Sequence, residues 1–446
     1  MRIALAKALL MGGMGGSLLA GCAPEEKQDA SKSAAPTSRA APASKETAIS
    51  PDVAKPQPLR ASVFLEYSGG MKGFVPLGTA SQPATAFQQR VSGLLTETEV
   101  SDQLAGHSYQ LLEGNDIRTV PLARMRQVVQ GQDAQAALGT ELPEMLRAVL
   151  ARPQAASEVS VVISDFIYGP QNKAEIPFIA DKIHEAVASV ASRKLAVAVL
   201  AERSAFTGTY HPAVKAPVQR RQLKGEKVPY YIWLIGPPAL VSRYLAATMP
   251  QPPAEQAYFG LTVGAVPYGA LLTGLPTSLM PAGGGTVAQA TMTNAHDLEM
   301  EDVSQGVEFT VGLNLGQLPT AWQQPAFLAR QLRVSVPGAV APVVVPGSVR
   351  RLTAPEQAAT PALAAYTHVL RLKLAALPAG RSPLTLALAA PEVPAWVAAW
   401  STDNDNQPGP EARTYRLADI LRGLRSAYPA ALPPAFSVTF SLTNQD

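Results

Sequence analysis

"LEYSGGMKGFV", residues Leu65 to Val75, closes an apolar run and opens a loop broken by glycines. Glycines alone suffice for a turn. Glu66 and Ser68, two residues apart in the same turn, add a carboxylate and a hydroxyl at the mouth of the strand. Oxygen donors so placed can converge on a hard cation. The reading of the loop therefore depends on what the flanking segments bring to the same edge.

Outward from that loop, strand and helix signals alternate. "RASVFLEY" is an apolar strand, and Phe87, Val91, Leu94 and Leu95 recur on one helical face. "SYQLLEG" reads as a strand; Leu142, Met145, Leu146, Val149 and Leu150 mark a second amphipathic helix. "EVSVVISDF" is a continuous apolar strand, and Ile179, Ile183, Val187 and Val190 line a third helix. "KLAVAVLAE" and "PYYIWLIG" are two further apolar strands, the second leading into a helix from Pro238 to Ala247. Apolar strands alternating with helices predict a doubly wound α/β domain with a mostly parallel sheet over residues 59–250.

After Pro250 the rhythm changes. "VEFTVGLNL", "QLRVSVPG", "APVVVPG", "THVLRLKLAAL", "LTLALAAP" and "AFSVTFSLTN" are short strands punctuated by Pro and Gly. Leu370, Leu372 and Leu374 alternate with Arg371 and Lys373, as in a strand buried on one face. Residues 251–446 therefore read as a β-rich, sandwich-like domain. It carries one helix, since Leu417, Ile420, Leu421 and Leu424 keep helical spacing; that helix is expected to decorate the β domain.

The N-terminus carries an address. Basic Arg2 and Lys7 precede an apolar run ending Leu19-Ala20-Gly21-Cys22, and Cys22 is the only cysteine. The segment is shorter than the roughly 20 apolar residues of a spanning helix. It resembles the signal peptide and lipobox of bacterial lipoproteins, which implies cleavage after residue 21 and acylation of Cys22. Residues 22–58 are rich in Ala, Pro, Ser and Lys, without an aromatic, and predict a disordered tether. The implied location is the bacterial outer membrane, lipid-anchored, facing the periplasm or the surface.

Composition narrows the partners. Charged residues are 16% of the chain, with 37 basic and 34 acidic, against roughly 25% in typical soluble domains. Loss of Arg2 and Lys7 with the leader brings the two signs almost level, so nothing points to nucleic acid. A single thiol rules out an internal disulfide and a multi-thiolate metal site.

Ligands of a doubly wound sheet gather outside the carboxyl ends of its strands. Three features fall at such ends or at helix starts above them: Glu66-Tyr67-Ser68-Gly69-Gly70, Gly139-Thr140 opening a helix, and Ser164-Asp165. In order and type they resemble the von Willebrand factor A-like domain. That family binds a divalent cation through an Asp-x-Ser-x-Ser loop, a later Thr and a later Asp. Two departures stand out: Glu66 replaces the leading Asp, and Gly70 replaces the second Ser. The resemblance thus implies a degenerate site of Glu66, Ser68, Thr140 and Asp165 that binds Mg²⁺ or Ca²⁺ weakly. The plain alternative is a dead site, with Glu66 solvated, Ser68 shaping the turn, Thr140 capping its helix and Asp165 accepting backbone N–H groups.

The other polar features are weaker. The five histidines are dispersed, without ligand-like spacing. Lys215, Arg220, Arg221, Lys224 and Lys227 crowd one loop and form either a basic docking surface or a solvated excursion. Trp396 and Trp400, followed by Asp403 and Asp405, read as packed tryptophans before a polar turn. The resemblance implies a non-enzymatic, lipid-anchored module that binds an envelope or cell-surface protein or serves envelope assembly. The alternatives are a metal-assisted hydrolase using Glu66 and Asp165, and a structural envelope component with a vestigial metal site.

Overall fold

A computed structural model describes residues 57–445 except 78–82, 115, 134–140, 169–172, 282–285, 288–293, 302, 304–305, 340–341 and 407–411. The leader, Cys22 and nearly all of the tether lie outside the described residues, as does Thr140.

The first body is a seven-stranded sheet. Its strands are β1 (Leu59–Glu66), β2 (Leu104–Glu113), β3 (Asp116–Val120), β4 (Val159–Ser164), β5 (Ala196–Tyr210), β6 (Arg221–Gly236) and β7 (Glu255–Phe259). The spatial order is β3-β2-β1-β4-β6-β5-β7. β1 pairs in parallel with β2 and β4, and both parallel registers run to the carboxyl end of β1. Elsewhere pairing is antiparallel: β3 on β2, β6 on β4, β5 on β6 and β7 on β5. The sheet is thus mixed, doubly wound at its centre and closed on one side by hairpin pairing.

Both faces are covered, as the unbroken apolar runs require. Helices α1 (Ala86–Val100), α2 (Leu122–Val129), α3 (Leu142–Ala151), α4 (Ile179–Val187), α5 (Ser189–Ser192) and α6 (Pro238–Thr248) follow in chain order. Phe87, Val91, Leu94 and Leu95 of α1 join Leu240 and Tyr244 of α6 in one apolar cluster. Leu146 and Val149 of α3, with Ile179 and Ile183 of α4, join the cluster on the opposite face. The first turn of α1 is fixed by a capping box between Thr85 and Gln88.

Beyond β7 lie two larger sheets. The antiparallel one is built on Tyr268–Leu271, Val307–Leu313 and His368–Leu374. The other runs through Leu332–Ser335, Gly380–Leu388, Phe436–Asn444 and Asp297–Glu301, the last two of these paired in parallel. Phe440 meets Tyr268 and Phe309 edge-on, with ring centroids 5.1 Å and 6.2 Å apart, so the sheets pack face to face. The side chains of Leu370, Leu372 and Leu374 face that core, as their alternation predicts.

Pro250 marks neither a change of sheet nor a gap in packing. β7 lies past Pro250 yet forms an edge of the first sheet, and residues 56–446 make one compact unit. The helix Leu417–Ser426 does not decorate the sandwich, as its position in the sequence led us to expect. Its Leu417, Ile420, Leu421 and Leu424 join α3 and α4 in the core on the first sheet. Gly423 makes that docking close: a Cβ there would collide with the Ala180 carbonyl oxygen and come within 2.9 Å of Ile183 Cβ. Among the described residues no helix is long and apolar enough to cross a membrane.

Candidate functional site

Three of the four expected residues meet. Leu65 of β1 sits opposite Ile163 of the parallel β4, so the next positions, Glu66 and Ser164-Asp165, emerge side by side at one sheet edge. The Ser164 hydroxyl donates to Glu66 Oε2, and Ser68 hydrogen-bonds the same carboxylate. Gly70 faces Asp165: a Cβ there would stand 3.4 Å from Asp165 Oδ2 and 3.5 Å from Ser68 Oγ. Thr140 lies outside the described residues and is not placed.

Backbone geometry after β4 contributes to the aim of Asp165. Phe166 takes a left-handed φ of 51°, sparsely populated for a bulky side chain. The strain, of order 1–3 kcal/mol, is held by packing: Phe166 stacks on Trp233 at 4.6 Å and meets Tyr231 edge-on. In this turn the Phe166 N–H donates to Ser164 Oγ at 2.9 Å, and the Ile167 N–H donates to Asp165 Oδ1 at 3.0 Å. One Asp165 oxygen thus accepts a backbone amide, as expected of a dead site, while the other lies toward Gly70.

The group is closed over. Glu66 is 6% exposed, Ser68 5% and Asp165 7%. β5 and β6 pair from Ala196↔Gly236 to Tyr210↔Arg221, carrying a hairpin past the edge of the sheet. Phe206 of that hairpin lies on the loop after β1: a Cβ on Gly73 would occupy its ring. Phe74 meets Phe206 edge-on at 5.0 Å and tilts against Phe87 at 5.2 Å. Gly73 therefore lets the hairpin close over the loop, since a side chain there would displace Phe206.

A second clamp comes from the far end of the chain. Asp405, read from sequence as part of a polar turn, is buried. It accepts the Ala213 N–H at 2.7 Å, the Val214 N–H at 3.0 Å and the Tyr210 hydroxyl at 3.3 Å. Asn406 donates to the carbonyls of Val214 and Val218. Together they hold the basic loop 211–220 in place. Trp396 and Trp400 do pack together, edge-on at 5.6 Å.

Electrostatics set the chemistry. Burial raises the Glu66 carboxyl above its ordinary value, against the lowering effect of the Ser164 and Ser68 hydrogen bonds. Asp165 is raised by burial first and by the Glu66 charge second, with the Ile167 amide opposing. Two buried carboxyls that interact resist ionising together, and protonation or a nearby cation relieves the charge. Glu66, Ser68 and Asp165 are hard oxygen donors suited to Mg²⁺ or Ca²⁺, but Gly70 supplies none. Among the described residues no group of three or more His, Cys, Asp or Glu gathers in a metal-holding cluster. The donor set therefore fits a hard cation incompletely.

Comparison with known proteins adds no label: no family model matches the chain, nor does any curated protein or solved structure.

Proposed function

We propose that the chain is a lipid-anchored, non-enzymatic module of the bacterial cell envelope, with a degenerate von Willebrand factor A-like head, that binds a protein partner or serves envelope assembly. The head's resemblance is supported by the order β3-β2-β1-β4 and by Glu66 and Asp165 at the ends of adjacent parallel strands. The observation that carries the non-enzymatic reading is the burial of Glu66, Ser68 and Asp165 beneath the β5–β6 hairpin. A hydrolase would need one of these carboxylates to reach a substrate-bound water. Here they bond to serines and a backbone amide instead. Burial equally disfavours an ion completed by a partner's acidic residue, so contact falls to the outer surface of the hairpin and its basic loop. That loop presents Lys215 and Arg220 on a frame clamped by Asp405 and Asn406.

The test is affinity capture from detergent-solubilised envelope with the full chain, with and without a chelator. Partner retention should be indifferent to the chelator and should fall when Lys215 and Arg220 are both changed to Glu. Release by the chelator would instead establish an ion-mediated contact. Absence of any retained partner, together with hydrolysis abolished by Asp165→Ala, would replace the binding reading with the enzymatic one.

A further inference from the structure

Away from the carboxylate site, a cavity of about 370 Å³ opens between α6 and the segment from Gly316 to Gln323. Its apolar wall includes Leu245, Met249, Tyr258 and Leu318. Polar residues interrupt that wall: Thr320, Gln323 and Thr367 also line the cavity, the last two hydrogen-bonded within the protein, and two further polar features bear on a ligand. The Ser242 hydroxyl, on a residue only 8% exposed, has no hydrogen-bond partner among the described residues. Its helix shows the ordinary solution two turns on, where the Thr248 hydroxyl back-bonds the Tyr244 carbonyl at 2.8 Å. Buried hydroxyls are rarely left unsatisfied, and those that are mark a missing partner. At the rim stands Arg351, exposed and without an ion pair among the described residues, while its neighbour Arg350 is held by Glu356.

Apolar side chains with a few convergent polar groups, among them a buried hydroxyl and a rim guanidinium, are the pattern of a small-ligand site. The charge selects an anion, because an arginine fork pairs a carboxylate through two parallel hydrogen bonds. The volume holds on the order of a dozen heavy atoms, at the ~30 Å³ each takes in a liquid. We propose that this cavity binds a medium-chain carboxylate, its chain against Leu245, Met249, Tyr258 and Leu318 and its head toward Arg351 and Ser242. The walls are pre-formed, with Pro250, Pro252 and Pro319 among the lining residues.

Octanoate is the probe, titrated into the full chain carrying Cys22→Ser so that no acyl group competes. Calorimetry gives the affinity. Fluorescence of Trp322 gives the location, because its ring lies 5.1 Å from that of Tyr258. One saturable site is expected, with octanol about tenfold weaker and Arg351→Gln about tenfold weaker, the worth of a charge-assisted hydrogen bond. Met249→Trp, which fills the cavity, should abolish binding. The exposed Arg351 can be changed without disturbing a core, so the test survives even if Met249→Trp unfolds the protein. Failure of octanoate to saturate, equal binding of octanol, or affinity unchanged in Arg351→Gln would each overturn the proposal.

Discussion

The seven-stranded sheet and the two-sheet sandwich both enclose apolar cores, yet they bury ionisable groups in opposite ways. At the end of β1 and β4, Glu66 and Asp165 lie together; burial raises both, and the Glu66 charge raises Asp165 further. In the sandwich, His368 is 1% exposed, and both ring nitrogens are partnered, Nδ1 with Thr367 Oγ1 and Nε2 with the Gln323 carbonyl, each at 2.9 Å. Burial lowers the pKa of that histidine, keeping it neutral. A structural polar residue in a core is satisfied by its neighbours. A pair that repels is the usual mark of a site kept for something other than stability. That contrast separates the two bodies more sharply than their secondary structure does.

The largest expected effect tests whether the bodies are joined at all. Gly423→Val would drive a branched side chain into the Ala180 carbonyl and Ile183. Overpacking of this kind costs about 3 kcal/mol, and the variant should lower the midpoint of a single cooperative denaturant transition. If the helix Leu417–Ser426 belonged to an independent C-terminal domain, the transition would split and only its second half would move.

The carboxylate pair gives the next effect. A carboxyl whose folded pKa is raised stays protonated in the native chain while its unfolded counterpart ionises near pH 4. The unfolded state then binds fewer protons, so this contribution to stability is full below pH 4 and is lost as pH climbs through the raised folded value. Asp165→Asn removes the repulsion and should stabilise the protein at pH 8 by about 2 kcal/mol, since a tenfold change in proton affinity corresponds to about 1.4 kcal/mol. It should also flatten the decline above pH 4 in denaturant titrations. A D165N protein less stable than wild type at pH 8 would mean that the pair is held ionised by a bound cation.

The sandwich should respond with the opposite slope. His368 has a lowered folded pKa, so the unfolded chain takes up protons first as pH falls below about 6.5, and stability falls with it. His368→Gln should erase that acid-side loss. It should cost about 1 kcal/mol at pH 7, since a buried hydrogen bond to the Gln323 carbonyl must be remade. Unchanged acid sensitivity in the variant would assign the slope to another group.

Much of this contrast was legible in the sequence, and the rest was hidden for identifiable reasons. Unbroken apolar runs located the central strands, and the strand-end rule brought Glu66, Ser68 and Asp165 together. Strand direction was not readable, because a run buried on both faces carries no polarity. "KLAVAVLAE" and "PYYIWLIG" read as two separate strands of a mostly parallel sheet. In fact β5 runs on to Tyr210 and β6 begins at Arg221. Residues 211–220 are too few for the dozen or so residues a parallel crossover needs. Pairing the half-polar extensions "RSAFTGTY" and "RQLKGEKV" as a hairpin would have shown this. The clamp of Asp405 on Ala213 and Val214 spans nearly half the chain, and no local spacing encodes it. For the helix Leu417–Ser426 the apolar face was clear, while its destination was marked only by Gly423, a glycine set among leucines.

The smallest effect concerns the glycine that makes the site degenerate. Gly70 has φ −65° and ψ −36°, so a side chain there meets no backbone strain. Its Cβ would sit at ordinary contact distance from both Asp165 Oδ2 and Ser68 Oγ. Gly70→Ser therefore returns a hydroxyl beside the carboxylates that would hold a hard cation. One added oxygen ligand, at about 1 kcal/mol for a hydrogen-bond-sized contribution, raises affinity about fivefold. Calorimetry with Mg²⁺ and with Ca²⁺ would read it, and binding should release protons, since burial raises both carboxyls and a cation favours their ionised forms. If Gly70→Ser binds neither ion, the serine has only extended the hydrogen-bond chain from Ser164 through Glu66 to Ser68. The first sheet would then treat its buried carboxylates much as the sandwich treats His368, by satisfying them within the protein.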